Sequence, residues 1–380
     1  FQSSGKIVTW ILTILLFGTI LLSWVLYYDI KIDIISISLF LFSISSIISS
    51  ALTGFLAFKI TAPLLAIVSC VLYTYSKSNK KIIGIMFLSA FLGTVIFLLV
   101  FVLKYRAELL TFNFDRLGRL FGDNNDVALF LAFGLTCSIY FTFFRKNLVL
   151  NIVSFILIPI FIYCGCTTGS KIFILIILLC LIAYPILFFG KKRWWLAPIF
   201  IIVLTGIFIG ILNLPFLSSI KNRMLDFIST LFGKSINQGD TGELSTINRF
   251  NMFCCGMEMF MRRPMFGWGI WGFATFGGRS GGWSHNNISE SFCNFGLIGT
   301  VLFHFGFFVS IKDYIKSKSK KSLVLPFVLI LFYLVAMLSV ALNSQKLYAY
   351  VIGLCFANIC NCKDLYSISV YEKLRFKNDK

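Results

Sequence analysis

The chain has 380 residues, of which 58% are hydrophobic and only 13% are charged. A soluble domain cannot bury so much apolar surface, and apolar runs of about 20 residues recur along the sequence. An outer-membrane barrel would instead show short segments of alternating polarity. The composition therefore predicts an all-α, polytopic membrane protein. It forms a single integral membrane domain over 5–380, since Phe1–Ser4 resembles the remnant of a cleaved tag.

The formal net charge of +19 comes mainly from Lys and Arg residues that lie between the apolar runs. This distribution is typical of cytoplasmic loops, so we expect no nucleic-acid partner. Part of the excess can serve an anionic substrate. The 11 Cys residues show no ligand spacing, and Cys360 and Cys362 lack a second pair. We therefore predict neither a metal nor another cofactor.

Eleven apolar segments read as membrane spans. They cover 7–27, 34–57, 60–76, 82–104, 127–144, 148–164, 171–190, 195–213, 287–311, 323–343 and 346–361. The first 76 residues contain charges near the span boundaries, at Lys31, Asp33 and Lys59. The prediction is therefore 11–12 transmembrane helices, with the side of the N-terminus left open.

Clusters of Lys and Arg fix the orientation from Lys77 onward. The clusters predicted to be cytoplasmic are Lys77–Lys81, Arg145–Lys146, Lys191–Arg193, Lys312–Lys321 and the basic tail after Lys363. Three segments then fall on the outer side: 105–126, 165–170 and 214–286. The last is a large extracytoplasmic, or periplasmic, loop.

The loop 214–286 contains two helical patterns. Phe216–Phe232 is amphipathic and suits a helix that lies along the membrane surface. A second helix is expected to start at a Thr246 cap and to run to Arg263, because Pro264 stops it.

The segment from Arg262 to Thr300 is rich in Gly and Trp and contains one of the two His residues. Ser284 or Asn287 can cap the following span, and Asn287 with Glu290 resembles a capping box. His285 is thus expected at the positive end of a membrane helix, where its pKa should be lowered. His304, deeper in the same helix, reads as a packed polar residue.

Four polar features share the predicted outer side. They are Arg116–Asn125 (RLGRLFGDNN), Thr167–Lys171 (TTGSK), Asn248–Arg249 and Ser284–Asn287 (SHNN). Each alone has a plainer explanation: an interfacial Arg snorkels, a lone His is structural, and Trp268, Trp271 and Trp283 form an interfacial belt. Together they favour an anionic, amphipathic substrate such as a lipid-linked phosphate.

The order of these motifs resembles the O-antigen ligase and polymerase (Wzy-type) superfamily over roughly 105–310. The matching residues are the Arg116–Asn125 segment, Thr168-Gly169-Ser170-Lys171, Arg249, Pro264, Phe266, Gly267 and Gly269, then His285, Asn286 and Glu290, and Gly296–Gly299. At Lys171 the family usually has Arg, so a positive charge remains without the bidentate geometry.

The resemblance implies a glycosyltransferase at the outer face of the bacterial cytoplasmic (inner) membrane. Such proteins transfer a glycan from undecaprenyl diphosphate to an acceptor hydroxyl without metal or nucleotide. The products include lipopolysaccharide O-antigen, capsule and exopolysaccharide. Implied partners are the lipid-linked donor and acceptor, membrane lipids and a chain-length regulator of the polysaccharide co-polymerase type.

Site roles follow from this resemblance and from the chemistry of the residues. Neutral His285 is the expected general base for an inverting displacement, and Arg249 and Lys171 are expected to neutralise the leaving diphosphate. Further substrate-binding candidates are Arg116, Arg223, Arg279, Asn286 and Glu290.

Three functions remain open at this point. A repeat-unit polymerase uses lipid-linked glycans as both donor and acceptor, and the Lys171 change and the poorly matched N-terminal third favour it. An O-antigen ligase, which moves the finished glycan onto lipid A core or another acceptor, shares the same motifs. A lipid or sugar transporter would need ionisable residues at mid-membrane, where the spans have few apart from His304 and Lys59.

Overall fold

The computed structural model describes most of the chain between Ile30 and Ile368. The described residues are 18, 22, 30–56, 60–78, 80–111, 117–121, 123–190, 193, 195–213, 221–222, 225, 241–277, 284–317, 321–338, 346–360 and 366–368. The predicted span 7–27 and the amphipathic Phe216–Phe232 lie almost wholly outside these residues.

The described elements are almost all helical. In chain order the helices are α1 (Ile34–Ala51), α2 (Thr61–Ser78), α3 (Lys80–Lys104), α4 (Arg106–Thr111), α5 (Asn124–Phe144), α6 (Leu148–Thr167), α7 (Lys171–Phe189), α8 (Leu196–Leu212), α9 (Thr241–Arg262), α10 (Gly272–Phe276), α11 (Asn287–Lys316), α12 (Val324–Ala336) and α13 (Lys346–Ile359). Two 3₁₀ turns, Arg119–Phe121 and Lys321–Leu323, and two short strands, β1 (Ile30–Ile32) and β2 (Tyr366–Ile368), complete the described elements.

Six of the described helices are long and apolar enough to cross a membrane: α1, α3, α5, α6, α7 and α11. Ten of the eleven predicted spans coincide with a described helix, although α12 and α13 are shorter than expected. The all-α, polytopic membrane fold is thereby confirmed. The total of 11–12 spans includes segments outside the described residues and stays a prediction.

Strands β1 and β2 form an antiparallel ribbon that the sequence did not predict. Ile30 pairs with Ile368 and Ile32 with Tyr366. Directly after β1, buried Asp33 caps α1 by accepting from the amides of Ile35 and Ser36. Its Oδ2 atom also lies 2.9 Å from Lys77 Nζ, at the end of α2. The start of α1, the end of α2 and the C-terminal strand are therefore at one end of the bundle.

Buried serines on α1 hold it against α11. Ser38 Oγ donates to Leu302 O at 2.7 Å, and Ser49 Oγ donates to Asn294 O at 2.7 Å. Interhelical bonds of this kind suit a membrane interior, where helices gain little from the hydrophobic effect alone. Because Ser38 pairs deep in α11 and Ser49 nearer its start, the two helices run antiparallel.

Helix α11 is broken at Gly296, whose φ of 66° and ψ of −165° are not helical. The turn Pro264–Gly269 supplies the hydrogen bonds that the break removes. Trp268 N donates to Cys293 O at 2.9 Å, and Leu297 N donates to Pro264 O at 2.7 Å. Irregular backbone at membrane depth is tolerated where protein groups satisfy it in this way.

Two glycines make the close approach of this turn and α11 feasible. A Cβ atom on Gly296 would lie 2.4 Å from Met265 O, and one on Gly267 would lie 2.5 Å from Cys293 O. Both residues also have a positive φ, which glycine adopts without steric cost. The Pro-x-Phe-Gly-x-Gly and Gly-Leu-Ile-Gly motifs thus form one packed unit.

Candidate functional site

The loop Ser284–Asn286 presents His285 directly before α11. His285 has a left-handed φ of 55°, which turns the chain and leaves Asn286 extended. Asn286 Oδ1 then accepts from Ile288 N at 3.0 Å and from Ser289 N at 3.1 Å. The helix cap is therefore Asn286, and the predictions of a cap at Ser284 or Asn287 and of an Asn287–Glu290 capping box are wrong.

Glu290 binds the loop from the first turns of α11. Its side chain is only 2% exposed, and its Oε2 atom accepts from Ser284 N at 3.0 Å and from Ser284 Oγ at 2.8 Å. Ser284 Oγ also lies 2.8 Å from Asn286 O and accepts from Asn286 N at 3.2 Å. The two residues on either side of His285 are therefore fixed through one buried hydroxyl and one buried carboxylate.

His285 is half-buried, and its pKa lies below the ordinary value of 6.5. Burial is the largest cause, because it disfavours the charged imidazolium, and the positive charge of Arg249 lowers the pKa further. The negative charge of Asp123 acts in the opposite direction. The expected direction of the pKa shift is confirmed, with burial and then Arg249 as its largest causes.

Arg249 reaches the His285 loop because α9 and α11 pack side by side in the same direction. A Cβ atom on Gly256 would lie 3.2 Å from Ser289 Cβ, and the ring centroids of Phe260 and Phe292 are 4.9 Å apart. Arg249 stands seven residues before Gly256, on the same face of the helix. It is half-buried, at the level where α11 gives way to the His285 loop.

The two other predicted outer features lie against each other at the ends of α5, α6 and α7. Leu117 N donates to Thr167 O at 3.0 Å, across the segment that precedes α5 and the end of α6. Ser170 Oγ donates to Asn125 Oδ1 at 2.8 Å, with both side chains buried. Lys171, the first residue of α7, follows this contact and is half-buried.

Asp123, at the start of α5, acts electrostatically on the pKa of His285. It is exposed, and its side chain caps α5 by accepting from Asn125 N at 2.8 Å. The sequence reading singled out the neighbouring Arg116 and missed Asp123. The signal was present, since an Asp directly before an Asn-Asn pair and an apolar run is a good N-cap. Its electrostatic effect on His285, in contrast, depends on the tertiary fold.

The structure describes only some of the other predicted site residues. Arg116, Arg223, Arg279 and Trp283 lie outside the described residues. Trp268 packs within the turn before α10, where its Nε1 donates to Met259 O at 2.7 Å and Arg263 lies 4.3 Å from its ring centroid.

His304 Nδ1 lies 2.8 Å from Thr300 O, one turn earlier on α11. Within the part of the chain that the structure describes, no group of three or more His, Cys, Asp or Glu side chains could hold a metal ion.

The arrangement suits proton transfer beside an anion. A half-buried imidazole with a lowered pKa is neutral near pH 7 and can accept a proton. The half-buried guanidinium of Arg249 can bind a phosphate in a bidentate manner. Asp123 provides a negative charge that favours the imidazolium once it forms.

Comparison with known proteins agrees with the motif order. Residues 155–304 match a family model described as O-antigen ligase. The matched range includes Thr168–Lys171, Arg249, Pro264–Gly269 and His285, whereas Arg116–Asn125 precedes it. A search of curated proteins found no match. The family match confirms the predicted resemblance to the O-antigen ligase and polymerase superfamily and supports a ligase- or polymerase-type role in O-antigen biosynthesis.

Proposed function

We propose that this protein is a membrane glycosyltransferase that moves a glycan from undecaprenyl diphosphate to an acceptor hydroxyl. One observation carries the proposal: His285, held at the start of a membrane helix, lies in the electrostatic field of Arg249 and Asp123. A base, a phosphate-binding cation and a counter-charge are the groups that such a displacement requires.

In the proposed reaction the acceptor hydroxyl gives its proton to neutral His285 as its oxygen attacks the anomeric carbon. The bond from that carbon to the diphosphate oxygen breaks, and the electron pair leaves with the diphosphate. Arg249 and Lys171 stabilise the charge on the leaving group, and Asp123 stabilises the imidazolium. A single displacement from the opposite side inverts the anomeric centre.

Four of the remaining predicted site residues are proposed to contact the substrate. Arg116, Arg223 and Arg279 are proposed as additional cations for the diphosphate. Asn286 was predicted to bind substrate, and its Oδ1 atom is already engaged in capping α11. The Nδ2 group of its side chain is the part that we propose for a glycan contact.

The proposed setting is the outer face of the bacterial cytoplasmic membrane. The loop 214–286 is proposed to lie outside and to cover a cavity between the spans, with a lateral opening for the polyprenyl tail. A chain-length regulator is proposed as a partner, together with membrane lipids.

As the acceptor we propose a second lipid-linked repeat unit, which makes the enzyme a polysaccharide polymerase. Lys171 in place of the usual Arg supports a divergent, sugar-specific enzyme. So does the N-terminal third of the chain, which matches the superfamily only as generic spans. The second candidate, an O-antigen ligase, is favoured by the description of the matching family model.

The test is incubation of the purified protein with one lipid-linked repeat unit. A ladder of products supports the polymerase. Transfer that requires added lipid A core supports the ligase. His285→Ala should lower turnover by at least about 100-fold, because general-base catalysis is typically worth that much or more. The absence of transfer under both conditions contradicts the proposal.

A further inference from the structure

The geometry points to Glu290 and Ser284 as positioning residues that hold the imidazole of His285 in place for proton transfer, without touching the substrate. This inference rests on the proposed function, in which His285 is the general base. It gives Glu290 a different task from the substrate contact that the sequence suggested.

The backbone of His285 requires such support. A φ of 55° lies in the left-handed region, which residues other than glycine rarely adopt without help from their surroundings. The bonds that fix it come from the preceding residue and from α11.

Ser284 is the residue through which this support acts. It is fully buried, and its hydroxyl donates to Glu290 Oε2 at 2.8 Å. The same hydroxyl lies 3.2 Å from Asn286 N, which donates to it, and 2.8 Å from Asn286 O. A single side chain thereby bridges the residue before His285 and the residue after it.

Glu290 anchors Ser284 to the helix. Its Oε2 atom also accepts from the backbone N–H of Ser284 at 3.0 Å. Both hydrogen-bond donors of Ser284 therefore bind the same carboxylate oxygen. The Glu290 side chain is 2% exposed, which leaves little of it for a substrate to touch. What the geometry needs from position 290 is an acceptor oxygen, and an amide oxygen can take that place.

Three substitutions at Glu290 and Ser284 have different expected effects on turnover. Glu290→Ala removes the acceptor, and kcat should fall at least about 100-fold because a misplacement of the base by about 1 Å has that effect. KM should stay within about threefold, since binding contacts that do not change in the transition state are retained. Glu290→Gln should retain kcat within about fivefold because its amide oxygen can still accept from Ser284. Ser284→Ala should lower kcat on the order of tenfold, because one buried hydrogen-bond bridge is lost.

Ser291→Ala is the matched control for Ser284→Ala. Ser291 is also fully buried at the start of α11, and within the described part of the chain its hydroxyl has no hydrogen-bond partner. The same atom is deleted a few residues away, so kcat should be unchanged.

A second measurement needs no glycan transfer. Diethyl pyrocarbonate modifies neutral imidazole, and peptide mass spectrometry separates His285 from His304. In Glu290→Ala and Ser284→Ala the released His285 should react faster, and the pH midpoint of its modification should rise towards the ordinary value. The reason is that burial is what lowers its pKa most. In Glu290→Gln and Ser291→Ala, the rate and the pH midpoint of His285 modification should equal those of the wild-type protein.

The outcomes distinguish this inference from the proposed function. If the wild-type protein transfers no glycan but the reactivity of His285 changes as stated, the function fails and the positioning role stands. If Glu290→Ala raises KM and leaves kcat unchanged, Glu290 contacts substrate and the inference is overturned. It is also overturned if Glu290→Gln loses as much kcat as Glu290→Ala, or if the reactivity of His285 is the same in all variants.

Discussion

Two opposite charges act on the pKa of His285, and together with burial they set the pH range in which it can act as a base. Burial and Arg249 lower its pKa, and Asp123 raises it. The neutral imidazole is the active form, so kcat/KM should rise with pH through the pKa of His285. We therefore expect the acid limb of the profile below pH 6.5, the ordinary value.

Asp123→Asn tests the contribution of the negative charge. Asn caps helices as well as Asp does, so α5 should keep its start. Removal of the charge that raises the pKa of His285 should move the acid limb of kcat/KM to lower pH. Glu258→Gln is the control, because Glu258 is exposed on α9 and is not among the groups that shift the pKa of His285. A limb that moves to higher pH contradicts the assignment.

An exchange between Arg and Lys should have different effects on turnover at positions 249 and 171. Arg249→Lys keeps the charge but removes the bidentate fork, so kcat/KM should fall about tenfold or more. Lys171→Arg restores the usual residue of the family and should retain or improve turnover. Arg262→Lys, at the exposed end of α9, is the matched control. If Arg249→Lys keeps near-normal turnover, Arg279 or Arg223 becomes the better candidate for the diphosphate.

At the scale of single elements, local signals in the sequence predict where helices stop and start. Pro264 predicted the end of α9, which the structure has at Arg262. The start of α9 at Thr241, before the expected Thr246 cap, was not predicted. The break in α11 was not predictable either, because it depends on hydrogen bonds exchanged with Pro264–Gly269, about 30 residues away in the chain.

The candidate site was likewise predictable from the sequence only in part. Residue chemistry and motif order were sufficient to single out His285 and Arg249. The face of α9 that brings Arg249 to the loop depends on the packing of Gly256 against Ser289, which no local pattern encodes. The same holds for the hydrogen bond between Ser284 and Glu290, which is found in place of the Asn287–Glu290 capping box that the sequence suggested.

The break at Gly296 gives a prediction about stability. Gly296→Ala would place a Cβ atom 2.4 Å from Met265 O, on a residue whose φ is already positive. Backbone strain of this kind costs about 1–3 kcal/mol before any clash is added. The thermal unfolding midpoint of the purified protein in detergent should therefore fall.

Gly93→Ala is the control for that measurement. Gly93 lies within α3, and a Cβ atom there would meet nothing within 4 Å. Its unfolding midpoint should stay the same or rise, since alanine favours a helix over glycine. Equal midpoints for the two variants contradict the role assigned to Gly296.

At the scale of the whole molecule, the ribbon of β1 and β2 bears on the topology that the charges left open. It joins Ile30–Ile32 to Tyr366–Ile368, and the basic tail after Lys363 predicts that this end is cytoplasmic. The ion pair of Asp33 with Lys77, itself in a predicted cytoplasmic cluster, agrees with that side. Helix α1 would then run outward, and α11, which is antiparallel to it, would start outside at the His285 loop.

Cysteine labelling in a background without the native thiols tests this arrangement. A Cys placed at Asn237, in the loop 214–286, should react with a membrane-impermeant maleimide added to intact cells. A Cys placed at Ser367, in β2, should react only after the cells are opened, because the ribbon is predicted to face the cytoplasm. The two positions are controls for each other, since one labelling experiment reads both sides. If Asn237→Cys reacts only in opened cells, the His285 loop faces the cytoplasm, and every site role that assumes a lipid-linked donor on the outer face fails with it.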